Sequence, residues 1–237
     1  RNTNMTILNI NINDFGGTNH HIEEFKNKYG KRWYISRWDE LDKTKEVEGV
    51  FYCIEKYMPD IVIMEEYDIN STEAINFEVK MKNKGYILKY EKPEYKRPSM
   101  TVFYIKNYIN YSYLSTGHTK NGRAYAIRVN DTIIYGTHVP PKYDEQFWNE
   151  LYSFLQKHSN EEYILIGDFN TINNRNMEEF RKILYNAYDI WYQKGNREPL
   201  SCMGDYAIAS NSILEDKIDI SSFDEKYTDH PGIIVTL

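Results

Sequence analysis

From Thr6 to Asn13 apolar and polar residues alternate, with Ile7, Leu8, Ile10 and Ile12 against Asn9, Asn11 and Asn13. That is the pattern of a half-buried first strand. Asparagine is a poor strand former, so Asn11 is singled out as reaching a site at the strand end, and Asn9 and Asn13 read as solvated or turn positions. A short helix fits within Gly16 to Tyr29. A stronger one covers Lys45 to Met58, where Val47, Val50, Phe51, Ile54 and Met58 recur at helical spacing. Pro59 ends it, and Asp60 to Glu66 is a short buried strand that terminates in the acids Glu65 and Glu66. Ser71 caps a helix over Thr72 to Lys84, closed by Gly85. Strands are predicted over Tyr86 to Tyr90, Met100 to Lys106, Arg123 to Val129 and Thr132 to Thr137, the last two forming a hairpin at Asn130-Asp131. Tyr143 to His158 is an amphipathic helix with Phe147, Leu151, Phe154 and Leu155 as its stripe. Tyr163 to Ile166 is a buried strand, Asn176 to Tyr185 a helix, and Asp205 to Ser210 a short strand that begins with an acid. A last strand, Gly232 to Leu237, is entered through Thr228-Asp229-His230-Pro231.

Helices alternating with strands whose carboxyl ends carry polar residues describe an α/β protein with its site at the strand ends. The 237 residues are enough for one large domain over residues 5–237. Arg1 to Asn4 read as an expression remnant or the stub of a removed leader. No apolar run spans a bilayer and the N-terminus lacks a signal-peptide profile. A soluble protein is therefore expected, with a cytoplasmic location favoured over a secreted form. Cys53 and Cys202 are the only cysteines, so no disulfide framework is expected, a reducing compartment is acceptable, and both read as ordinary buried thiols. A net charge of -6 argues against holding nucleic acid by bulk electrostatics. Acids gathered in a metal site would contribute to that balance, so a nuclease is not excluded.

The stretch Ile164-Leu165-Ile166-Gly167-Asp168-Phe169-Asn170 stops a buried run at a glycine and presents an acid and an amide on one side of any extended continuation. A carboxylate can orient or deprotonate water, and an amide can donate to an anionic oxygen. An Asp-x-Asn turn that satisfies its own backbone is the plainer reading of the same residues. Collected at strand ends are Asn11, Glu66, His138, Asp168, Asn170, Asp205, Asp229 and His230. Oxygen donors of this kind suit Mg²⁺, with Mn²⁺ as substitute, and the lack of clustered cysteine and closely spaced histidine disfavours zinc.

In order, LNIN (Leu8 to Asn11), PDIVIMEE (Pro59 to Glu66), THVP (Thr137 to Pro140), IGDFN (Ile166 to Asn170), DYAIAS (Asp205 to Ser210) and TDHPG (Thr228 to Gly232) make the chain resemble the endonuclease/exonuclease/phosphatase family. The resemblance implies the DNase I-like fold, a four-layer α/β sandwich of two mixed β-sheets packed face to face with helices outside. It also implies metal-dependent phosphoric ester hydrolysis. Carried over, Glu66 is the principal metal ligand, with Asn11 and Asp229 close to the same ion. Asp168 orients or deprotonates the attacking water, and Asn170 donates to the phosphoryl oxygens. His230 contacts the scissile phosphate while Asp205 holds its ring. His138 matches the position where DNase I and many phosphatase-like members have histidine, and there a glutamate from an earlier loop is expected to pair with it, Glu91 first and Glu94 as substitute.

Departures from the family pattern bear on substrate. Thr228 stands for the usual serine and keeps the hydroxyl, Glu65 replaces a frequent glutamine and adds negative charge beside the metal, and Gly204 is expected to loosen the strand at Asp205. The aromatic-rich segment of abasic-site endonucleases is not visible ahead of Asp205, and no long lipid-docking hairpin stands out. The resemblance thus implies a monomeric nuclease acting on DNA, in an open groove rimmed by loops with Lys89, Lys92, Lys96, Arg97, Lys120 and Arg123. Alternatives are a phosphatase or phosphodiesterase for a small or lipid-derived phosphate, of the phosphoinositide or sphingomyelin type, and a catalytically silent binding module, whose signature would be lost catalytic residues.

Overall fold

The computed structural model describes residues 4–30, 32–33, 35–94, 98–117, 121–224 and 227–237. In chain order the strands are β1 (Thr6–Asn11), β2 (Ile61–Tyr67), β3 (Tyr86–Lys89), β4 (Met100–Lys106), β5 (Tyr111–Leu114), β6 (Ala124–Val129), β7 (Thr132–His138), β8 (Glu162–Asp168), β9 (Ala187–Asp189), β10 (Asp205–Ser210), β11 (Asp219–Phe223) and β12 (Gly232–Thr236). The helices are α1 (Asn19–Tyr29), α2 (Thr44–Tyr57), α3 (Thr72–Asn83), α4 (Glu145–Lys157), α5 (Asn174–Ile183) and the single turn α6 (Ile190–Gln193). Two six-stranded sheets result, ordered β11-β12-β1-β2-β4-β3 and β5-β6-β7-β8-β10-β9. Each is mixed: β1 pairs β2 and β7 pairs β8 in parallel, and the remaining pairs are antiparallel.

The central strands are apolar on both faces because both are covered. Ile7, Ile61, Ile63 and Phe103 of the first sheet meet Ile134, Ile164, Ile166 and Ala207 of the second in one cluster. On the outer face of the first sheet, Val62, Met64 and Val102 pack under Val50 and Ile54 of α2 and Phe77 and Met81 of α3. Tyr135 and Leu165 of the second sheet lie under Trp148 and Leu151 of α4 and Phe180 of α5. At about 1.5–3 kcal/mol for each fully buried Ile, Leu, Val or Phe, this four-layer packing outweighs the weak local preferences of the strands. Helix starts are fixed locally: Ser71 Oγ accepts from Ala74 N (3.1 Å), Asp144 Oδ1 from Phe147 N (3.2 Å), and Asn173 Oδ1 from Arg175 N (2.9 Å).

Register delivers the site. His138 of β7 lies opposite Asp168 of β8, and Asp168 opposite Asp205 of β10. In the facing sheet Asn11 lies opposite Glu65. Gly167 sits at φ +146°, and a Cβ there would collide with the Thr137 carbonyl oxygen and lie 2.8 Å from Glu65 Oε1, so the tight step into Asp168 requires glycine.

Gly204 does the reverse of loosening its strand. At φ +93° its carbonyl accepts from Phe169 N (2.8 Å), and an added Cβ would lie 2.9 Å from Thr171 N and 3.1 Å from Asn170 N. The missing side chain lets this segment clamp the turn that carries Asn170. Gly204→Ala is expected to cost about 1–3 kcal/mol and to lower activity together with melting temperature. A variant that melts and works like the parent would remove the clamp.

Candidate active site

Asp168 ends β8 with its two oxygens divided between tasks. Oδ1 accepts from Asn170 N (2.9 Å), the Asx turn that was the plainer sequence reading. Oδ2 faces the crevice between the sheets, 3.3 Å from Asn11 Nδ2, 3.7 Å from His138 Nε2 and 4.0 Å from His230 Nε2. Asn170 does not continue the strand: it takes φ +47°, and its Nδ2 donates to Val139 O at 2.5 Å. One amide N–H remains for another acceptor. Burial of Asp168, followed by the charge of Asp205 and opposed by His230, pushes its carboxyl up to about 7.

His230 is buried and held by Asp205, with Nδ1 2.9 Å from Oδ2 and 3.1 Å from Oδ1. Ser201 Oγ donates to the same Oδ2 at 2.7 Å, so the acid is itself oriented. The free Nε2 faces Asp168 and, at 3.7 Å, Asp229 Oδ1. Burial works against a charged ring, yet the bond to Asp205 and the charges of Asp205, Asp168 and Asp229 prevail and push its pKa up to about 9. The hydroxyl of Thr228 ties this turn to the end of β1 in its own sheet, donating to Asn11 O at 2.7 Å.

Glu66 enters through a β-bulge. The β2–β4 register shifts between Met64 and Tyr67, and Glu66 takes φ +53°, which turns a residue whose place in the alternation is opposite that of Glu65 toward the site. It accepts from the Asn11 side chain, and burial, with Asp229 nearby, raises its pKa against the pull of Asn11, His230 and Arg123.

Glu65 faces the interior of the molecule. It is fully buried between the sheets, and both its oxygens accept from Asn9 Nδ2 at 2.9 Å. Burial, with Asp205 and Asp168 close, drives its pKa well above the usual carboxyl range against the pull of Asn9 and His230. Asn9 likewise departs from the sequence reading: it is buried as the partner of Glu65.

The expected glutamate partner of His138 is engaged elsewhere. Glu91 accepts from the Tyr113 hydroxyl, and His138 presents Nδ1 to Arg123 Nη1 at 3.4 Å and Nε2 to Asp168. Arg123 also donates to His138 O at 3.3 Å, so a residue assigned to the outer rim lies inside the site. Its signal in the sequence was its place one residue before a strand antiparallel to the one ending in His138. Of the other rim cations, Lys96, Arg97 and Lys120 lie outside the described residues. Cys202 is exposed, correcting its reading as a buried thiol. With Leu200, Met203, Phe223, Asp229 and Pro231 it lines a cleft of about 620 Å³ beside His230.

Ligand atoms of Asp168, Asp205 and His230 lie within 4.8 Å of one another, a group close enough to hold a cation. Nδ1 of His230 is already given to Asp205, which leaves Asp168 as the more open oxygen donor of the three. Glu66, Asn11 and Asp229 adjoin it. Carboxyls that raise one another's pKa are short of positive charge, and this donor set fits a hard divalent ion.

No family model matches the chain, and no curated protein matches it in sequence. Solved structures do match. The AP endonuclease LMAP from Leishmania major superposes with a TM-score of 0.69 at 14% identity, covering 99% of this chain and 87% of that one. An AP endonuclease from Archaeoglobus fulgidus gives 0.62 at 14% identity, with 98% of each chain covered. Truncated TDP2 from Caenorhabditis elegans gives 0.61 at 12%, covering 100% of this chain and 98% of that one. The likeness is one of architecture: this chain has the DNase I-like fold that these AP endonucleases and TDP2 share. Among the described residues no helix is long and apolar enough to cross a membrane.

Proposed function

We propose that the chain is a divalent-cation-dependent phosphodiester hydrolase that acts on nucleic acid, DNA foremost, by attack of water on phosphorus. The observation that carries this reading is the convergence on Asp168 Oδ2 of Asn11, His138 and His230 from three separate strand ends. Asp168, with its pKa near 7, is the base that orients and deprotonates the water. His230, near 9, is protonated at neutral pH and donates through Nε2 to the phosphate and its departing oxygen. Two groups whose environments part their pKa values in this way divide base from acid. Asp205 holds the ring as the orienting acid of a triad does. Asn170 gives its remaining N–H to a phosphoryl oxygen, and His138 and Arg123 place positive or donor groups where charge builds on the phosphorane. Glu66, Asn11 and Asp229 would hold Mg²⁺ or Mn²⁺, which when bound supplies Lewis-acid charge at the phosphoryl oxygens.

The cleft beside His230 favours a substrate that extends past the scissile phosphate, and so a nucleic acid over a small or lipid-derived phosphate. The test is a panel of plasmid, linear duplex, single strands, abasic duplex, sphingomyelin and inositol phosphates with Mg²⁺. Cutting of nucleic acid that weakens steeply with added salt is expected. Rapid phosphate release from an inositol phosphate with every nucleic acid intact would give the site to a small substrate.

A further inference from the structure

On the side of Asp168 carried by the loops after β7 and β8, the structure holds a cation that the catalytic assignments do not use. The Arg175 guanidinium lies 3.7 Å from the centre of the Tyr143 ring. Arg175 is exposed and Tyr143 half-buried, and among the described residues no carboxylate forms an ion pair with Arg175. A guanidinium held over a ring gains cation–π attraction and loses freedom, while its N–H donors stay available to a further partner. Such a group is ready for a bidentate anion.

Its position relative to the chemistry is fixed by asparagines. Buried Asn176 donates to Pro140 O (2.9 Å) and to Asn170 O (3.2 Å), and accepts from Trp148 Nε1 (2.9 Å). Asn173 Nδ2 donates to Pro141 O at 3.1 Å, and Asn170 Nδ2 to Val139 O. The loop bearing Asn170, the loop bearing Tyr143 and the first turn of α5 therefore form one body. Exposed Lys142 lies next to Tyr143 on the same lip. Among the described residues neither Lys142 nor Arg175 forms an ion pair with an acid, although Asp144, Glu145, Glu178 and Glu179 lie close in sequence.

We propose that Arg175, held by Tyr143, is a clamp for a backbone phosphate of the nucleic-acid strand flanking the scissile bond. The inference rests on the nuclease reading and adds a subsite to it. A phosphate contact of this kind sets register and affinity but reads no base. The strand then runs between the Arg175 lip and the cleft beside His230, with the Asp168 centre between them.

The test measures binding of a labelled DNA duplex against salt, with Asp168→Asn as the non-cutting parent. Each phosphate neutralised on duplex DNA contributes about 0.9 to the slope of log affinity on log salt. Arg175→Ala should lose about that much slope, and Arg175→Lys, which keeps the charge, should restore it. A merely structural role would lower the melting temperature and leave the slope alone. Arg175→Gln carries the same expectation as the alanine variant should that one melt early. An unchanged slope in the alanine and glutamine variants, with the parent binding duplex, would overturn the clamp alone. A parent that binds no nucleic acid, while the native chain hydrolyses a small phosphate ester, would overturn the nuclease reading and the clamp with it.

Discussion

Replacing Asp168 by asparagine is expected to lower turnover by about 10²–10⁴-fold with little change in melting temperature. The amide keeps the shape of the carboxylate, so its Oδ1 can still accept from Asn170 N, the contact that closes the turn. What it removes is the base at Oδ2, where Asn11, His138 and His230 meet. Stability should hold, because burial and the neighbouring Asp205 disfavour the charge that the substitution deletes. His230→Ala should fall at least as far, since it takes away the proton donor and leaves buried Asp205 with Ser201 as its side-chain partner among the described residues. Steady-state kinetics beside a thermal melt checks both. Near-normal turnover in Asp168→Asn would leave that residue as a turn former only.

The eight strand-end residues were singled out because each sits where an apolar run stops or is about to start, and periodicity finds such places well. What surrounds them was not. Asn9 alternates with apolar neighbours and so looked solvent-facing, but both faces of the first sheet are covered, and it meets Glu65, 56 positions away, across parallel strands. Glu66 was placed at the end of its strand, whereas β2 runs on to Tyr67, and no local signal marks the bulge that turns it. Asn170 was expected to share a face with Asp168 by strand alternation, whereas its left-handed backbone ends the strand. Arg123 read as a loop cation because its contact with His138 is created by the register of the β6–β7 hairpin. Short strands β5, β9 and β11 lack a sustained alternation and exist through edge pairing with β6, β10 and β12, a tertiary effect that outweighs local propensity.

Chelation is expected to abolish activity, and Mg²⁺ or Mn²⁺ to restore it, with a pH dependence set by the acids themselves. In the metal-free chain Asp168 is raised from an ordinary 3.8 to about 7, and His230 from 6.5 to about 9. A group raised on folding contributes stability in full below its unfolded pKa, and that contribution is lost as pH climbs through the folded one. Both groups therefore predict that the EDTA-treated protein melts earlier as pH rises from about 6 to about 9. Added divalent ion supplies the missing positive charge and competes with the proton on Asp168, so its binding should tighten over the same rise. At a free metal concentration of about 100 Kd the gain is about 2.7 kcal/mol, or about 5–10 °C in a chain of this size. Thermal melts with and without Mg²⁺ at pH about 6 and about 8 read both trends. Glu66→Gln should raise the metal concentration needed for half-maximal activity more than it lowers the metal-free melting temperature. Full turnover in excess EDTA, or a metal-induced shift larger at the lower pH, would remove the cation from the acids around Asp168.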